Sequence, residues 1–353
     1  MTAHEVPAEV WGKIFDVCCQ DGGQTGRSLA LASRYFHAVS KSSQYISITL
    51  TGKRAIAKFA ELLATNHECR RVKYLFMSTF EPEPNMLEYI RKGLYQAHLP
   101  PPLVTHDAKL DPTEHHQITA DMYRILEFIA PTVRILHVVI GFYREEIFFP
   151  MEFPVLEELT IQGPFHDHYD CNDDFCDTLY PSIPSLRRLY LTEVFTCVND
   201  RTYLALRHYA PYLTHLRIQC ADGYIESSRT FLRQLLPSST SSSEVDKDRG
   251  QEHGCGYQED EERAHSRKEF PETLQSILLH PGPTQPRWRC GTMYMMRYMA
   301  LRELEKCAKE DTRIVLFKES PWVWPYSRAH DYAEGQRQWL DRIAGGEGCW
   351  EVQ

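Results

Sequence analysis

Apolar positions along this chain recur in one short pattern: proline, any residue, leucine or valine, two residues, leucine, any residue, aliphatic. Four copies are in register: Pro131-Thr132-Val133-Arg134-Ile135-Leu136-His137-Val138, Pro154-Val155-Leu156-Glu157-Glu158-Leu159-Thr160-Ile161, Pro184-Ser185-Leu186-Arg187-Arg188-Leu189-Tyr190-Leu191 and Pro211-Tyr212-Leu213-Thr214-His215-Leu216-Arg217-Ile218. Their starts lie 23, 30 and 27 residues apart. Two looser copies flank them. Val72-Lys73-Tyr74-Leu75-Phe76-Met77 lacks the proline, and Leu274-Gln275-Ser276-Ile277-Leu278-Leu279 has Pro271 shifted by one residue. Arg313-Ile314-Val315-Leu316-Phe317 is a last strand-like run.

The pattern has a mechanical meaning. Side chains two residues apart point to one face of a strand, so each Leu-x-aliphatic pair buries together. The apolar residue three positions earlier fills the turn that enters the strand. Proline cannot continue a helix, so it stops whatever precedes that turn. Two copies are preceded by helical patterns, Ala120 to Ala130 and Asp200 to Ala210, in which Tyr123 and Leu126 match Tyr203 and Leu206 at helical spacing. A helix returning to a neighbouring parallel strand is a right-handed crossover. Such units in series predict an α/β leucine-rich-repeat solenoid, with parallel strands inside and helices outside, and the period falls in the leucine-rich-repeat range. Leu136, Leu159, Leu189 and Leu216 are expected to stack in one buried ladder. The array is expected over residues 51–325.

The array is interrupted. From Pro237 to Lys268 the chain is rich in Ser, Glu, Asp, Gly and Arg and poor in aliphatics. Such composition cannot bury enough apolar surface to offset its ordering entropy, so a disordered insert is expected at about 237–268, a candidate for regulatory phosphorylation by its serine density. The stretch 81–118, with Pro82, Pro84 and Pro100-Pro101-Pro102, is a second expected excursion. Residues 326–353 are expected to form a C-terminal helix and tail.

Residues 1–50 do not follow the repeat. Pro7 suits a helix start, and Val10, Trp11, Ile14, Phe15 and Cys18 then form an apolar stripe that Asp21-Gly22-Gly23 ends. A second helix is expected over Gly26 to Phe36, with Leu29, Ala32 and Phe36 on one face, and Tyr45-Ile46-Ser47-Ile48-Thr49-Leu50 alternates like a strand. A third short unit leads from Phe36 to Tyr45, and three short helices hold a core poorly alone and need a partner surface, either the array or another protein.

The segments Val6-Pro7-Ala8-Glu9-Val10-Trp11-Gly12-Lys13-Ile14-Phe15, Leu29-Ala30-Leu31-Ala32-Ser33-Arg34-Tyr35-Phe36 and Tyr45-Ile46-Ser47-Ile48 resemble an F-box. Val6, Ala32 and Tyr45 stand where that pattern has leucine, a larger aliphatic and tryptophan. The whole chain resembles the F-box-like proteins of mushroom-forming fungi, which carry degenerate leucine-rich repeats, and the tail Gly345-Gly346-Glu347-Gly348-Cys349-Trp350 is loosely similar to that group. The resemblance implies that the N-terminal helices dock on the small adaptor of a cullin-type (SCF) E3 ubiquitin ligase while the repeats select a protein substrate. By position, Val6, Pro7, Val10, Trp11, Ile14 and Phe15 are then the adaptor-binding residues. An amphipathic helix alone does not separate an interface from a core, so packing of this stripe against the first repeat stays open. So does a leucine-rich-repeat interaction scaffold with no ubiquitin role.

Composition and chemistry narrow the classes further. The chain has 353 residues, 42% hydrophobic and 25% charged, with net charge −9. That is the ordinary globular range, and the acidic balance argues against a nucleic-acid partner, which needs a basic stripe. There is no basic and apolar leader at the N-terminus, and the longest apolar run, near 134–142, falls far short of the roughly 20 residues a spanning helix needs. The chain is expected to be soluble, without membrane contact, in the cytoplasm or nucleus. The eleven cysteines, odd in number and scattered through apolar stretches, are expected to be mostly buried thiols of a reducing compartment. His166 to Asp177 gathers two histidines, two cysteines and five aspartates, but within twelve residues and without a second Cys-x-x-Cys; a polar, capped loop competes with a metal site there. His115-His116 is expected in a solvated loop. Gly22-Gly23-x-x-Gly26 follows a helix rather than a strand and lacks the context of a phosphate loop. No hydrolase, zinc-protease or P-loop signature occurs. No cofactor and no catalytic residue are assigned, and a non-enzymatic interaction protein is expected.

Overall fold

The computed structural model describes residues 6–81, 112–141, 149–163, 181–194, 206–220, 232, 235, 272–281, 291–318 and 328–351. The expected insert at 237–268 and the His166 to Asp177 cluster lie outside them, as do Pro82, Pro84 and the Pro100 to Pro102 run.

Eight strands form one sheet: β1 (Ser47–Thr51), β2 (Tyr74–Ser78), β3 (Ile135–Val139), β4 (Glu158–Gln162), β5 (Arg188–Val194), β6 (His215–Cys220), β7 (Ser276–His280) and β8 (Ile314–Leu316). All pairs are parallel, and the spatial order is the chain order, β1 through β8. In-order parallel strands joined by crossovers are the geometry of a solenoid-like α/β fold. Leu136, Leu159, Leu189 and Leu216 pair directly across β3 to β6, and the rung continues to Leu75, Ile277 and Ile314. A second rung joins Leu50, Met77, Val138, Ile161, Leu191, Ile218, Leu279 and Leu316. The residues that enter each strand (Val72, Val133, Leu156, Leu186, Leu213 and Leu274) are buried in the same continuous core.

The turns into β2 through β7 also repeat one backbone device. The N–H groups of Tyr74 and Ile135 reach back with their preceding neighbours to one carbonyl of the previous repeat, Ile46 and Lys73 respectively. Glu158, Arg188, His215 and Ser276, with their preceding neighbours, do the same to Arg134, Glu157, Arg187 and Thr214, at 2.8 to 3.2 Å. The device satisfies the turn's donors without side chains, so successive repeats tolerate different residues there.

Helices α1 (Ala8–Cys18), α2 (Gln24–Ala32) and α3 (Arg34–Ser40) precede β1. The continuous helix expected over Gly26 to Phe36 is in fact two. Ser33 is extended and its hydroxyl accepts from Phe36 N–H at 3.1 Å, starting a new helix at Arg34. Two positive-φ glycines, Gly22 and Gly23, reverse the chain between α1 and α2. Gly22 also hydrogen-bonds Ser47 Oγ at 2.8 Å, fixing the helical module to β1.

Helices α4 (Lys53–Thr65) and α5 (Pro112–Ile129) cover the first repeats, and α6 (Gly291–Glu310) packs on β8. His115 and His116 lie in α5, not in a loop, because Pro112 starts that helix earlier than its apolar stripe suggests. Among the five cysteines with a described side-chain environment, Cys19, Cys69 and Cys349 are buried, Cys307 is half-buried and Cys18 is exposed. No helix among the described residues is long and apolar enough to cross a membrane.

A seventh helix, α7 (Arg328–Ile343), and the turn Gly348–Trp350 do not join the outer helices. They lie on the opposite face of the sheet, over β2, β3 and onward to β7.

Candidate functional site

Two surfaces have the character of interaction sites. The first is the N-terminal module. Trp11, Phe15 and Phe36 form its small aromatic core, with ring centroids 5.2 to 5.8 Å apart in one stacked and two edge-on contacts. Ser43 Oγ donates to Asp16 Oδ1 at 2.5 Å, and Thr25 donates twice to Asp21 Oδ2, so polar ties hold the helices together. Of the sequence-predicted residues, Pro7 is exposed, Val6 and Trp11 are half-buried, and Val10 and Ile14 are 45% and 41% exposed. Phe15 is only 4% exposed and acts from inside, as a packing residue. Two residues the sequence pattern did not single out join the exposed set: Val17 at 70% and Leu31 at 84%. Val10, Ile14 and Val17 are spaced four and three apart, so they share one face of α1. That spacing was the available signal. A further exposed apolar set, Tyr294, Met295, Met296, Tyr298 and Met299, lies on α6.

The second surface is the inner face of the sheet, where the residues between the leucine rungs point. Across the strands these include Phe76, His137, Thr160, Tyr190, Arg217 and Leu278 in one row and Tyr74, Ile135, Glu158, Arg188 and His215 in another. In an open solenoid this face would meet solvent. Here α7 and the tail cover it. Tyr332, Trp339 and Ile343 of α7 pack on Phe76 and Val139. Cys349 and Trp350 pack on Tyr190 and Leu278.

Charged groups tie the cover down. Glu158 is central: Arg342 Nε donates to its Oε2 at 2.7 Å and Trp350 Nε1 to its Oε1 at 2.9 Å. Burial opposes the charge of Arg342, but the hydrogen bond to Glu158 and the nearby carboxylates of Glu158 and Glu347 outweigh it and raise its pKa. Arg188 bridges Glu347 at 3.5 Å. Arg217, stacked over the Tyr190 and Phe317 rings, donates to the Cys349 carbonyl. Thr51 Oγ1 and Tyr332 OH are 2.9 Å apart at the β1 end. Gly335 passes so close to the sheet that a Cβ there would sit 2.8 Å from both His137 Nε2 and Gln162 Oε1.

The same interface leaves polar atoms unmatched. Arg217 Nε and Trp339 Nε1 are buried there without a hydrogen-bond partner, as is His280 Nδ1 beside Phe317, while His137 and Gln162 interact with each other. Each such atom costs about 1–3 kcal/mol. Burial pushes the pKa of His137 down to about 4, partly opposed by Gln162; burial and then the Arg217 cation do the same to His280.

This sets a pH dependence. Folded His137 stays neutral down to about pH 4, whereas an unfolded histidine protonates near 6.5. Between those values the unfolded state binds more protons. The contribution of His137 is therefore complete above pH 6.5 and is lost as the pH falls toward 4, by about 3 kcal/mol. Urea unfolding of the wild type should show at least that loss between pH 7.5 and 4.5, since His280 titrates in the same window, and His137→Gln should remove about 3 kcal/mol of it. Parallel profiles for the two chains would show that His137 is not the titrating group.

Comparison with known proteins finds no matching family model, curated protein or solved structure. Among the described residues no group of three or more His, Cys, Asp or Glu side chains could hold a metal ion.

Proposed function

We propose that this chain is a substrate-recruiting subunit of a cullin-type ubiquitin ligase, its N-terminal module an F-box-like dock for the ligase adaptor and its repeats the part that binds a protein substrate. In this reading the chain binds and positions, and the chemistry belongs to its partners. The observation that carries it is the division of labour in α1: Phe15 and Trp11 hold the module together, while Val10, Ile14 and Val17 remain outside with Leu31. An apolar stripe whose only task was to pack on the first repeat would be sealed beneath it. Exposed aliphatics on a small helical module have the character of a helix-face docking site.

The test is direct binding of the intact chain to a cullin-ligase adaptor. Carrying Val10→Asp and Ile14→Asp together should weaken that binding at least tenfold. Both side chains are already substantially exposed, so the thermal midpoint should stay close to that of the wild type. If the wild-type chain does not bind the adaptor, the ligase reading fails and the chain is a repeat scaffold without a ubiquitin role.

A further inference from the structure

The inner face of the sheet is occupied by the chain's own residues 328–351. Three observations bear on how permanently. The cover is fixed through side chains and apolar contact, while the strands beneath hydrogen-bond to one another, so lifting it breaks no strand pairing. Its apolar contacts form two small clusters, around Trp339 and around Trp350, both separate from the continuous core under the sheet. Arg217 Nε and Trp339 Nε1, buried in this interface without partners, regain water when it opens.

The contacts also spell out what the face recognises. Tyr332, Gly335, Trp339 and Ile343 are spaced three, four and four residues apart along α7, one face of a helix. The aromatic pair straddles Phe76, the glycine clears His137 and Gln162, and the isoleucine reaches the Phe76–Val139 cluster. Beyond the helix, Glu158 takes an arginine and an indole N–H on its two oxygens.

We propose that residues 328–351 are a resident ligand of the inner face, and that this face takes an external protein partner by exchanging the resident segment for a helix of the same chemistry. That partner carries an aromatic residue, a glycine three positions on, an indole four further, and an arginine placed to reach Glu158. This inference stands whether or not the N-terminal module docks on an adaptor, since it uses none of that module's exposed residues.

Cys349 is a native reporter, carried by the cover itself and buried against Tyr190 and Leu278 of the sheet, and Cys69 is a control buried in the core. Intact chain is alkylated under native conditions and the two sites are followed by mass spectrometry. The expected result is that Cys349 reacts at least tenfold faster than Cys69, because the cover opens without unfolding of the core. A synthetic peptide of residues 328–351 carrying Cys349→Ser should speed Cys349 labelling further by holding the resident segment off. The same peptide should bind the Trp350→Ala chain, or the Arg342→Ala chain if the first fails to fold, at least tenfold more tightly than it binds the wild type. Equal labelling of Cys349 and Cys69 overturns the proposal, as does a peptide affinity that weakening the resident segment does not raise; either result makes the cover a permanent part of the fold.

Discussion

Leu159→Ala is expected to destabilise the protein by about 2–5 kcal/mol, in the upper half of that range. Leu159 is fully buried in the middle of the sheet, paired with Leu136 on one side and Leu189 on the other. Removing its side chain deletes contacts to two neighbouring repeats at once, and rungs fixed by backbone pairing cannot collapse into the cavity. Solenoid stability is close to a sum of repeat and neighbour terms, so damage at a central rung weakens two interfaces. Val155→Ala, four residues earlier at an exposed position, is expected to change stability by no more than about 0.5 kcal/mol. Equilibrium urea unfolding measures both. A Leu159→Ala chain within about 1 kcal/mol of the wild type would mean that the rung is not a packed ladder.

That ladder is legible in the amino-acid sequence because its cause is local. Leu-x-aliphatic fixes which side chains share a face, and the registered proline marks where each strand begins. Parallel order then follows from the crossovers. The break at Ser33 is less visible: Leu29 to Phe36 keeps helical periodicity across it, and the short polar side chain that caps α3 looks the same inside a helix as at its start. The α1 stripe shows a different limit. Trp11 and Phe15 stand at spacing four, as an interface or a core both require, and only packing against Phe36 separates Phe15 from Ile14.

The covered inner face is the largest feature that the repeat pattern did not reveal. Positions between the leucines normally face solvent, and Glu158, His137 and Arg217 look polar enough to do so. The contrary signal was present in two strands. Tyr74-Leu75-Phe76-Met77 and Ile277-Leu278-Leu279 are apolar without alternation, which is the mark of a strand buried on both faces. Phe76 and Leu278 are the positions on which Trp339 and Trp350 pack. What no local pattern contains is the partner, because Arg342 and Trp350 lie 184 and 192 residues from Glu158.

Two adjacent glutamates make that long-range pairing measurable. Glu157 pairs with Arg134 at 2.5 Å, but both side chains are about half exposed. Solvent screens such a pair, and Glu157→Gln is expected to cost less than about 1 kcal/mol. Glu158 is 6% exposed and serves two donors, with Arg342 itself 25% exposed. Glu158→Gln keeps the size of the side chain, yet it removes the charge opposite a half-buried guanidinium and leaves one oxygen where there were two acceptors. Breaking a buried pair from one side costs about 3–5 kcal/mol; the partial exposure of Arg342 places the expected loss near the lower end, about 3 kcal/mol. The loss should be concentrated in the cover, so alkylation of Cys349 should accelerate far more than that of Cys69. Glu157 and Glu158 are neighbours in sequence and carry the same charge, but one pairs with Arg134 at the surface and the other with Arg342 and Trp350 of the cover. Equal effects of the two substitutions would mean that α7 and the tail do not seal the inner face in solution.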